Sequence, residues 1–441
     1  MEEAPTSQTV SPDLLRITRM AKESPELRFR TLAHYITPEL LRLAASRTRK
    51  DAAPGIDGQS GTSYLKNLDG NVQDLWQRLR EGRYRAPPVR RVDIDKGGGK
   101  TRPLGIPTFE DKVAQRAALM VLESIYEQDF LPCSFGFRPG RSAHDALHEL
   151  RDGLMRMGGA WVIDADIRDF FGSLDHATLR TILSQRVGDH SMMRLIGKWL
   201  TAGVMEAGRL HRPELGTPQG GVISPLLANV YLHEVLDRWF ERDVRPRLRG
   251  RGFLVRYADD FVMAFAERED AERVLAVLGK RLAKHGLQLH PEKTRLLDFR
   301  RPRGETKPGS FVFLGFTHYW ALSRRGTPVV QVKTATKRLS RALRSINEWC
   351  RDHRHLPLAA QQATLAQKLR GHCAYYGVTG NSQALGRFRY WLVRLWRKWL
   401  CRRSYAARKP WAWFDRIYEI YPLPPAQAIH SSLRHPVNSS V

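Results

Sequence analysis

Apolar residues recur at helical spacing in several separate blocks of the chain. Near the N-terminus, SPDLLRITRMA and TPELLRLAASRTRK place Leu or Ile every three or four positions, after Ser or Thr caps that precede Pro. The same spacing returns in LDGNVQDLWQRLREG, TFEDKVAQRAALMVLESIYE and AERVLAVLGKRLAKHGLQL. Each block therefore predicts a helix that buries one face.

Between the helical blocks lie short runs of β-branched and aromatic residues that predict strands. VRRVDID is one, AWVIDADIRDFF opens with a second, and RYADDFVMAF has the pattern of two short strands around a turn. Helices and strands follow one another without a regular β-α-β alternation. The α+β class fits this mixture best.

Charge changes the picture more than composition does. The 441 residues contain 72 Lys and Arg against 45 Asp and Glu, a formal net charge of +27. A field of this sign attracts polyanions, so nucleic acid is the first partner to expect and an anionic membrane surface the second. No run of about 18 apolar residues predicts a membrane span. The four cysteines form no Cys-x-x-Cys pair, which disfavours a zinc site or a disulfide framework and favours a cytoplasmic protein.

The excess charge is concentrated near the C-terminus. Residues 331–441 hold 20 Lys or Arg against 4 Asp or Glu, and six of the eleven tryptophans. In GRFRYWLVRLWRKWLCRR, Phe388, Trp391, Leu395 and Trp399 are predicted to form one apolar helical stripe. Such a stripe alone indicates core and a basic face alone a solvated surface, but their density together favours nucleic-acid binding. The predicted RNA-binding residues are Arg387, Arg394, Arg397, Lys398, Arg402 and Arg403.

Two acidic clusters lie in or beside predicted strands, where carboxylates are rare. Asp259 and Asp260 occupy the turn of RYADDFVMAF, and Asp164, Asp166 and Asp169 lie in VIDADIRDF. Hydrogen bonds to nearby backbone would explain a lone Asp pair in a turn. Two buried acidic clusters that face each other repel unless a cation lies between them. Mg²⁺ prefers oxygen ligands, and polymerases and nucleases use two such ions about 4 Å apart.

The same residues carry a resemblance to reverse transcriptases. YADD between hydrophobic strands resembles the catalytic hairpin of that family, and DIRDFF resembles its first carboxylate motif. The resemblance implies that Asp166 and Asp259 bind two Mg²⁺ ions together with the backbone of Ile167, and that Asp260 is a weaker candidate for direct coordination. Asp164 falls outside the matching positions, as does Asp169.

Further segments resemble the other motifs of the family in the family's order. KGGGKTRPLGIP resembles the fingers segment, GTPQGGVISPLLANVYLHEVLD the segment between the carboxylate motifs, LHPEKTRLLDF the motif that follows, and FVFLGF the hairpin that grips the primer end. The implied nucleotide-binding residues are Lys96, Lys100, Arg102, Phe171, Gln219 and Lys293. The aromatic ring of Phe171 would lie beneath the sugar and exclude a 2′-OH. Lys293 would assist the departure of pyrophosphate as a general acid.

The sequence also indicates which subgroup of reverse transcriptases it resembles. APGIDG, FRPGRSAHDAL and PLGIPTFEDKVAQ are phrases of group II intron-encoded reverse transcriptases, and LRGHCAYYG resembles their maturase or thumb region. The implied fold is an α+β right-hand polymerase, with fingers and an antiparallel palm sheet, followed by an α-helical thumb/maturase domain. The predicted divisions are an N-terminal helical extension (1–50), fingers and palm (51–330), the RNA-binding thumb/maturase domain (331–425) and a disordered tail (426–441).

The resemblance implies an RNA-directed DNA polymerase that also binds its intron RNA to promote splicing, and mobility by target-primed reverse transcription. Its partners would be intron or template RNA, a DNA primer or target, and deoxynucleoside triphosphates; bound to DNA, it would associate with the nucleoid. No Cys/His-rich nuclease segment is present, so second-strand cleavage is not expected. Two alternatives stay open: a domesticated relative used in repair or defence, and a splicing-only maturase with a vestigial polymerase. The oligomeric state is also open.

Overall fold

The computed structural model describes residues 11–97, 100–206, 209–211, 220–302, 309–323, 325–403 and 409–430. Contacts between residues divide the chain into two compact units, Met1–Ala146 with Ala165–Leu296, and Leu147–Asp164 with Leu297–Val441. This division does not coincide with boundaries at residues 50 and 330, because the second unit includes a stretch from the middle of the chain. The local composition of Leu147–Asp164 does not indicate that these residues belong to the second unit.

In chain order the α-helices are α1 (Pro12–Glu23), α2 (Pro38–Ser46), α3 (Gly61–Leu65), α4 (Leu68–Arg80), α5 (Phe109–Asp129), α6 (Ala143–Met157), α7 (Phe170–Ser173), α8 (His176–Arg186), α9 (His190–Leu200), α10 (Ser224–Leu232), α11 (Arg268–Ala283), α12 (Thr336–Asp352), α13 (Leu358–Tyr376), α14 (Ser382–Leu400) and α15 (Trp411–Ile420). Five of them, α1, α2, α4, α5 and α11, begin and end close to the predicted blocks. The Oγ1 atoms of Thr37 and Thr108 cap α2 and α5 by accepting from backbone N–H groups three residues on.

The strands form three sheets. They are β1 (Val89–Gly97), β2 (Lys100–Ile106), β3 (Gly159–Asp166), β4 (Val204–Glu206), β5 (Arg209–His211), β6 (Gly252–Tyr257), β7 (Asp260–Phe265), β8 (Arg295–Arg300), β9 (Phe311–Phe313), β10 (Phe316–Leu322) and β11 (Pro328–Thr334). The strand orders are β2-β1-β4-β5, β11-β10-β9 and β6-β7-β3-β8. The pairs β1–β2, β6–β7, β9–β10 and β10–β11 are antiparallel.

Helix α5 is the core of the first unit, because most of its length is buried. Helices α1 and α2 pack against it. Helix α10 continues into two π-helical turns, His233–Asp237 and Phe240–Val244. Such turns are rare and occur often at functional sites.

In the second unit, β9–β11 lead into helices α12–α15. The buried Asn381 connects the two parts, since its Nδ2 donates to Thr334 Oγ1 and to the carbonyl of Tyr376, and its Oδ1 accepts from Thr334 N–H. The N–H of His430 donates to the carbonyl of Gly377, so the chain is bonded as far as that residue. Residues 431–441, most of the predicted tail, lie outside the described part.

The buried face of α14 differs from the predicted stripe. Its core residues are Leu385, Phe388, Leu392, Trp396 and Leu400. Only Phe388 belongs to both sets, and Trp391 is 45% exposed. Both sets keep to helical spacings of three and four residues, but the observed face contains five apolar side chains where the predicted stripe contains four. Within the described ranges, no helix is both long and apolar enough to cross a membrane.

Candidate active site

The acidic pair lies at the tip of the β6–β7 hairpin, as predicted. Tyr257 pairs with Asp260, so Ala258 and Asp259 form a two-residue turn and Asp260 begins β7. Ala258 has a φ of 57°, in the left-handed region. A positive φ at the first turn residue is typical of tight hairpins, whose twist matches that of the strands. For a residue with a Cβ this conformation costs about 1–2 kcal/mol, so the surroundings must hold it.

Arg256 supplies much of that support from inside the protein. Its side chain is fully buried and forms a bidentate ion pair with the equally buried Asp237, with distances of 2.7 Å from Nε to Oδ1 and 2.6 Å from Nη2 to Oδ2. Its Nη1 donates to the carbonyl oxygen of Ala258 over 3.1 Å. The guanidinium thus ties the turn before Asp259 to the end of the first π-helical segment.

Two further segments complete this anchor. Arg256 Nη2 donates to Ser134 Oγ at 2.7 Å, and Nη1 donates to Asn229 Oδ1 at 3.0 Å. Asn229 Nδ2 in turn donates to the carbonyl of Gly136 at 2.7 Å. A Cβ on Gly136 would lie 2.4 Å from the backbone nitrogen of Ala258, so only glycine fits against the turn. We call Ser134, Gly136, Asn229, Asp237 and Arg256 the hairpin anchor.

Asp166, the other predicted ligand, is the last residue of β3. Its carbonyl accepts from the N–H of His290 at 2.8 Å, and Ile167 forms a bridge with Leu289. The chain that turns back after His290 brings the ammonium of Lys293 onto Asp166 Oδ2 as an ion pair. The carboxylate therefore attracts a cation, and the structure brings together Lys293 and Asp166, which are far apart in the sequence.

The two predicted metal ligands lie on neighbouring strands. Asp166 ends β3 and Asp259 directly precedes β7, which is next to β3 in the sheet order. Both offer the hard oxygen ligands that Mg²⁺ prefers. Among the residues that the structure describes, no three His, Cys, Asp or Glu side chains are grouped so that they could hold a metal ion by themselves. These two carboxylates fit a magnesium site in which backbone and substrate phosphates supply the other ligands.

The remaining predicted nucleotide-binding residues are described unequally. Phe171 lies on α7 with 9% of its surface exposed and contacts Phe170 edge to face. The segment KGGGKTRPLGIP contains the end of β1 and all of β2, which pair as a hairpin, with Lys100 opposite Gly97. The side chains of Lys96, Lys100 and Arg102 lie outside the described part, as does the whole of Gln219.

The first unit also contains a buried carboxylate that the sequence analysis does not identify as a candidate site residue. Asp111 is 1% exposed and accepts from Trp199 Nε1 at 2.8 Å, from Gln115 Nε2 at 2.9 Å and from the hydroxyl of Tyr84. Gln115 Oε1 accepts from the N–H of Ile223 at 3.2 Å. The network therefore fixes the segment that enters α10, whose residue Asn229 belongs to the hairpin anchor.

The same segment also makes a close backbone approach. Gly220 has a φ of 116°, and a Cβ there would lie 2.4 Å from the carbonyl oxygen of Gly105 on β2. Only glycine permits this contact. The segment between the carboxylate motifs therefore packs directly against the main chain of β2.

The Asp111 network predicts a pH-dependent stability. Burial raises the pKa of Asp111 from 3.8 to about 6, against the opposing effect of its three hydrogen-bond donors. Since the folded-state pKa is the higher one, the stabilisation is present below pH 3.8 and is lost as the pH rises through about 6. The loss amounts to about 3 kcal/mol. Relative to Asp111→Asn, which cannot ionise, the wild type should become less stable between pH 4.5 and pH 7; thermal unfolding midpoints that differ equally at both pH values would contradict this.

The six predicted RNA-binding residues lie on α14 or shortly after its last residue, in the second unit. Arg387, Arg394, Lys398 and Arg402 are exposed. The other two are partly buried and also bond to the backbone: Arg397 Nη2 donates to the carbonyl of Lys409, and Arg403 Nη2 to that of Leu356, each at 2.7 Å. These two have a structural role whatever they bind.

Comparison with known proteins agrees with the predicted reverse transcriptase and with the predicted maturase region. The family model for reverse transcriptase (RNA-dependent DNA polymerase) matches residues 94–318. The model for the maturase-specific domain of group II introns matches residues 339–416. Residue 330 lies in the gap between the two matched ranges.

Individual relatives agree with this. Protein YkfC of Escherichia coli (strain K12) is 35% identical over 70% of this chain and 88% of that protein. The group II intron-encoded protein LtrA of Lactococcus lactis subsp. cremoris is 39% identical over 51% of this chain, but this covers only 38% of LtrA. The mitochondrial nuclear intron maturase 2 of Arabidopsis thaliana is 29% identical over 32% of this chain and 24% of that protein. The chain belongs to the family of group II intron-encoded reverse transcriptases and maturases.

Proposed function

We propose that this protein is an RNA-directed DNA polymerase that also binds intron RNA, with fingers, palm and thumb as the sequence motifs imply. The observation that carries the proposal is the hairpin of Asp259, which the buried Arg256 anchors on the strand next to the one that Asp166 ends. Asp166 already has an ammonium as its counter-ion, and a divalent metal binds carboxylate oxygens of the same kind. The family membership supplies the reaction.

In the proposed reaction, the 3′-hydroxyl of a primer attacks the α-phosphate of a deoxynucleoside triphosphate and pyrophosphate leaves. Mg²⁺, when bound, lowers the pKa of the attacking hydroxyl and neutralises charge that develops on the phosphates. The part played by the chain is to hold Asp166, the backbone of Ile167, and Asp259 in fixed positions, with Asp260 supporting the turn. Catalysis of this kind depends on positioning and charge stabilisation.

Other residues would bind the nucleotide. Lys96, Lys100 and Arg102, on the strands of the fingers hairpin, would neutralise the triphosphate. Gln219 would contact the nascent base pair, and Phe171 would exclude a 2′-OH from the sugar site. Lys293, whose ammonium contacts Asp166, would donate a proton to the leaving pyrophosphate.

The helical part of the second unit would grip RNA. Between α14 and α15 the structure has a cavity of about 580 Å³ whose lining includes Arg389, Tyr390, Arg394 and Trp411. The guanidinium of Arg394 lies over the rings of both Tyr390 and Trp411. Exposed aromatic rings beside arginines stack on bases and bind phosphates. We propose that this surface holds template or intron RNA, and supports splicing and target-primed mobility.

The direct test is primer extension by the purified protein on an RNA template annealed to a DNA primer. We expect synthesis that depends on deoxynucleotides and Mg²⁺, stops when the metal is chelated with EDTA, and returns when Mg²⁺ is added in excess. Ca²⁺ serves as a control because it also takes oxygen ligands but adopts a larger and less regular geometry. It should not replace Mg²⁺.

The same experiment separates the polymerase from a splicing-only maturase. If the protein protects a folded group II intron RNA from nuclease but extends no primer under any divalent metal, the polymerase proposal is wrong and the RNA-binding proposal stands. High salt is needed in the binding assay, since a net charge of +27 binds any nucleic acid at low salt.

A further inference from the structure

A second cavity lies in the first unit, among residues that the motifs of the family do not include. It has a volume of about 570 Å³ and is enclosed by three elements: the short 3₁₀ turn at Ala33–Tyr35, the C-terminal end of α4, and one face of α9. The volume is within the usual range for sites that bind small organic groups. We call it the α4–α9 cavity.

Positive charge dominates the lining of this cavity. Arg80, Arg194 and Lys198 line it, and within the described ranges none of the three forms an ion pair with a carboxylate. The acidic residue in the lining is Glu81, which forms an ion pair with Arg83. Burial lowers the pKa of Lys198, and the charges of Arg194 and Arg85 lower it further. A bound anion would relieve this repulsion between cations.

The cavity also presents an aromatic surface. Trp76 is partly exposed in the lining, and the guanidinium of Arg80 lies 5.2 Å from the centre of its ring. His34 and Tyr84 also line the cavity. A flat aromatic ring beside a cation offers a stacking surface to a planar, electron-rich ligand.

The walls are rigid enough to form a site. Asp189 joins two of them: its Oδ2 accepts from the N–H groups of Leu32 and Ala33, and its Oδ1 accepts from Ser191 and Met192 at the start of α9. The third wall is tied to α9 by Lys198, whose Nζ donates to the carbonyls of Gly82 and Tyr84. An ammonium has three N–H donors, so the third one of Lys198 stays available to a ligand.

We propose that the α4–α9 cavity binds one unpaired nucleotide of an RNA, with its base stacked on Trp76 and its phosphate held by Arg194 and Lys198. The inference rests on the proposed function only in that RNA is the polyanion this protein meets. A base in a duplex has no free face to stack, so an unpaired nucleotide in a loop, bulge or end fits best. A free nucleotide shares the same chemistry, and the experiment below distinguishes the two sources.

The test uses photo-crosslinking, because the strongly basic chain will bind RNA at several places. A short oligouridylate with one 4-thiouridine is irradiated with the full-length protein at high salt, and crosslinked peptides are identified by mass spectrometry. We expect a crosslink at Trp76 or His34, the aromatic lining residues that are not buried. A blunt RNA duplex with the thiouridine in its paired interior should give none at these residues.

Two variants and one control connect the crosslink to the cavity. Trp76→Leu and Arg194→Ala should each lower its yield by about fivefold or more, as expected when one stacked base or its phosphate contact is lost. Arg180→Ala, on the exposed surface of α8 outside the cavity, removes the same charge and should leave the yield unchanged. Thermal unfolding of Trp76→Leu checks its fold, and Arg194 is a surface residue whose loss does not threaten the core.

Three outcomes would overturn the inference. If neither Trp76 nor His34 crosslinks although the protein extends primers, the cavity binds no RNA and the polymerase proposal is unaffected. If equimolar uridine monophosphate removes the crosslink, the cavity takes a free nucleotide instead of an RNA residue. An unchanged yield in both variants would place the crosslinked base elsewhere.

Discussion

Asp259→Asn should reduce RNA-templated DNA synthesis by at least about a hundredfold. The substitution keeps the shape of the side chain and removes the charge that would hold a divalent metal. A metal stabilises the charge of such a transition state by several kcal/mol, and each 1.36 kcal/mol is a factor of ten in rate. Initial rates of primer extension at saturating Mg²⁺ measure the loss, and Asp166→Asn should behave in the same way.

Thermal unfolding and a variant at an exposed residue serve as controls for this loss. Asp259→Asn should unfold close to the wild-type temperature, because it removes both repulsion from Asp260 and attraction to Arg256. Asp352→Asn, at an exposed residue that pairs with the neighbouring Arg351, should extend primers at the wild-type rate. Synthesis by Asp259→Asn within a few fold of wild type would contradict the assignment of Asp259 as a metal ligand.

The second large effect concerns the hairpin anchor. Arg256→Met leaves Asp237 buried without its partner, and breaking a buried ion pair in this way costs about 3–5 kcal/mol. We expect a lower thermal midpoint and a strong loss of DNA synthesis, since the carbonyl of Ala258 also loses its donor. Arg268→Met, which breaks the exposed pair with Glu272, should cost less than about 1 kcal/mol.

A double variant separates stability from positioning. Replacing a buried ion pair by apolar residues of similar volume is often neutral, so Arg256→Met combined with Asp237→Leu should recover much of the lost stability. DNA synthesis should stay low, because Ala258 and Ser134 still lack the guanidinium. If the double variant regains wild-type synthesis, Arg256 has only a stabilising role and the positioning role is wrong.

The sequence predicts those elements of the site whose residues lie close together along the chain. The strand pair around Ala258 and Asp259 follows from alternating apolar residues and a tight turn, and the match of the family model to residues 94–318 supports the motif order. Helix α5 follows from its apolar spacing and its cap at Thr108. These features depend on neighbours within a few residues, which a sequence displays directly.

Long-range partners could not be predicted in the same way. Arg256 and Asp237 each occur in a segment that resembles a family motif, but nothing in either segment shows that the two side chains are buried together. The network of Asp111 with Tyr84 and Trp199 brings residues from distant parts of the first unit together. On α14, the orientation of Trp391 depends on which face the neighbouring helices cover, and helical spacing alone allowed two choices.

The glycines at 136 and 220 have a practical consequence for engineering this enzyme family member. At both positions any side chain would meet main-chain atoms that cannot move aside, at Ala258 in one case and Gly105 in the other. Whether a substitution is tolerated at these positions depends on the room for a Cβ atom and not on the polarity or charge of the new side chain. Randomised libraries that aim to change speed or template preference should therefore keep Gly136 and Gly220 fixed, and place their diversity on the exposed arginines and aromatic residues of α14.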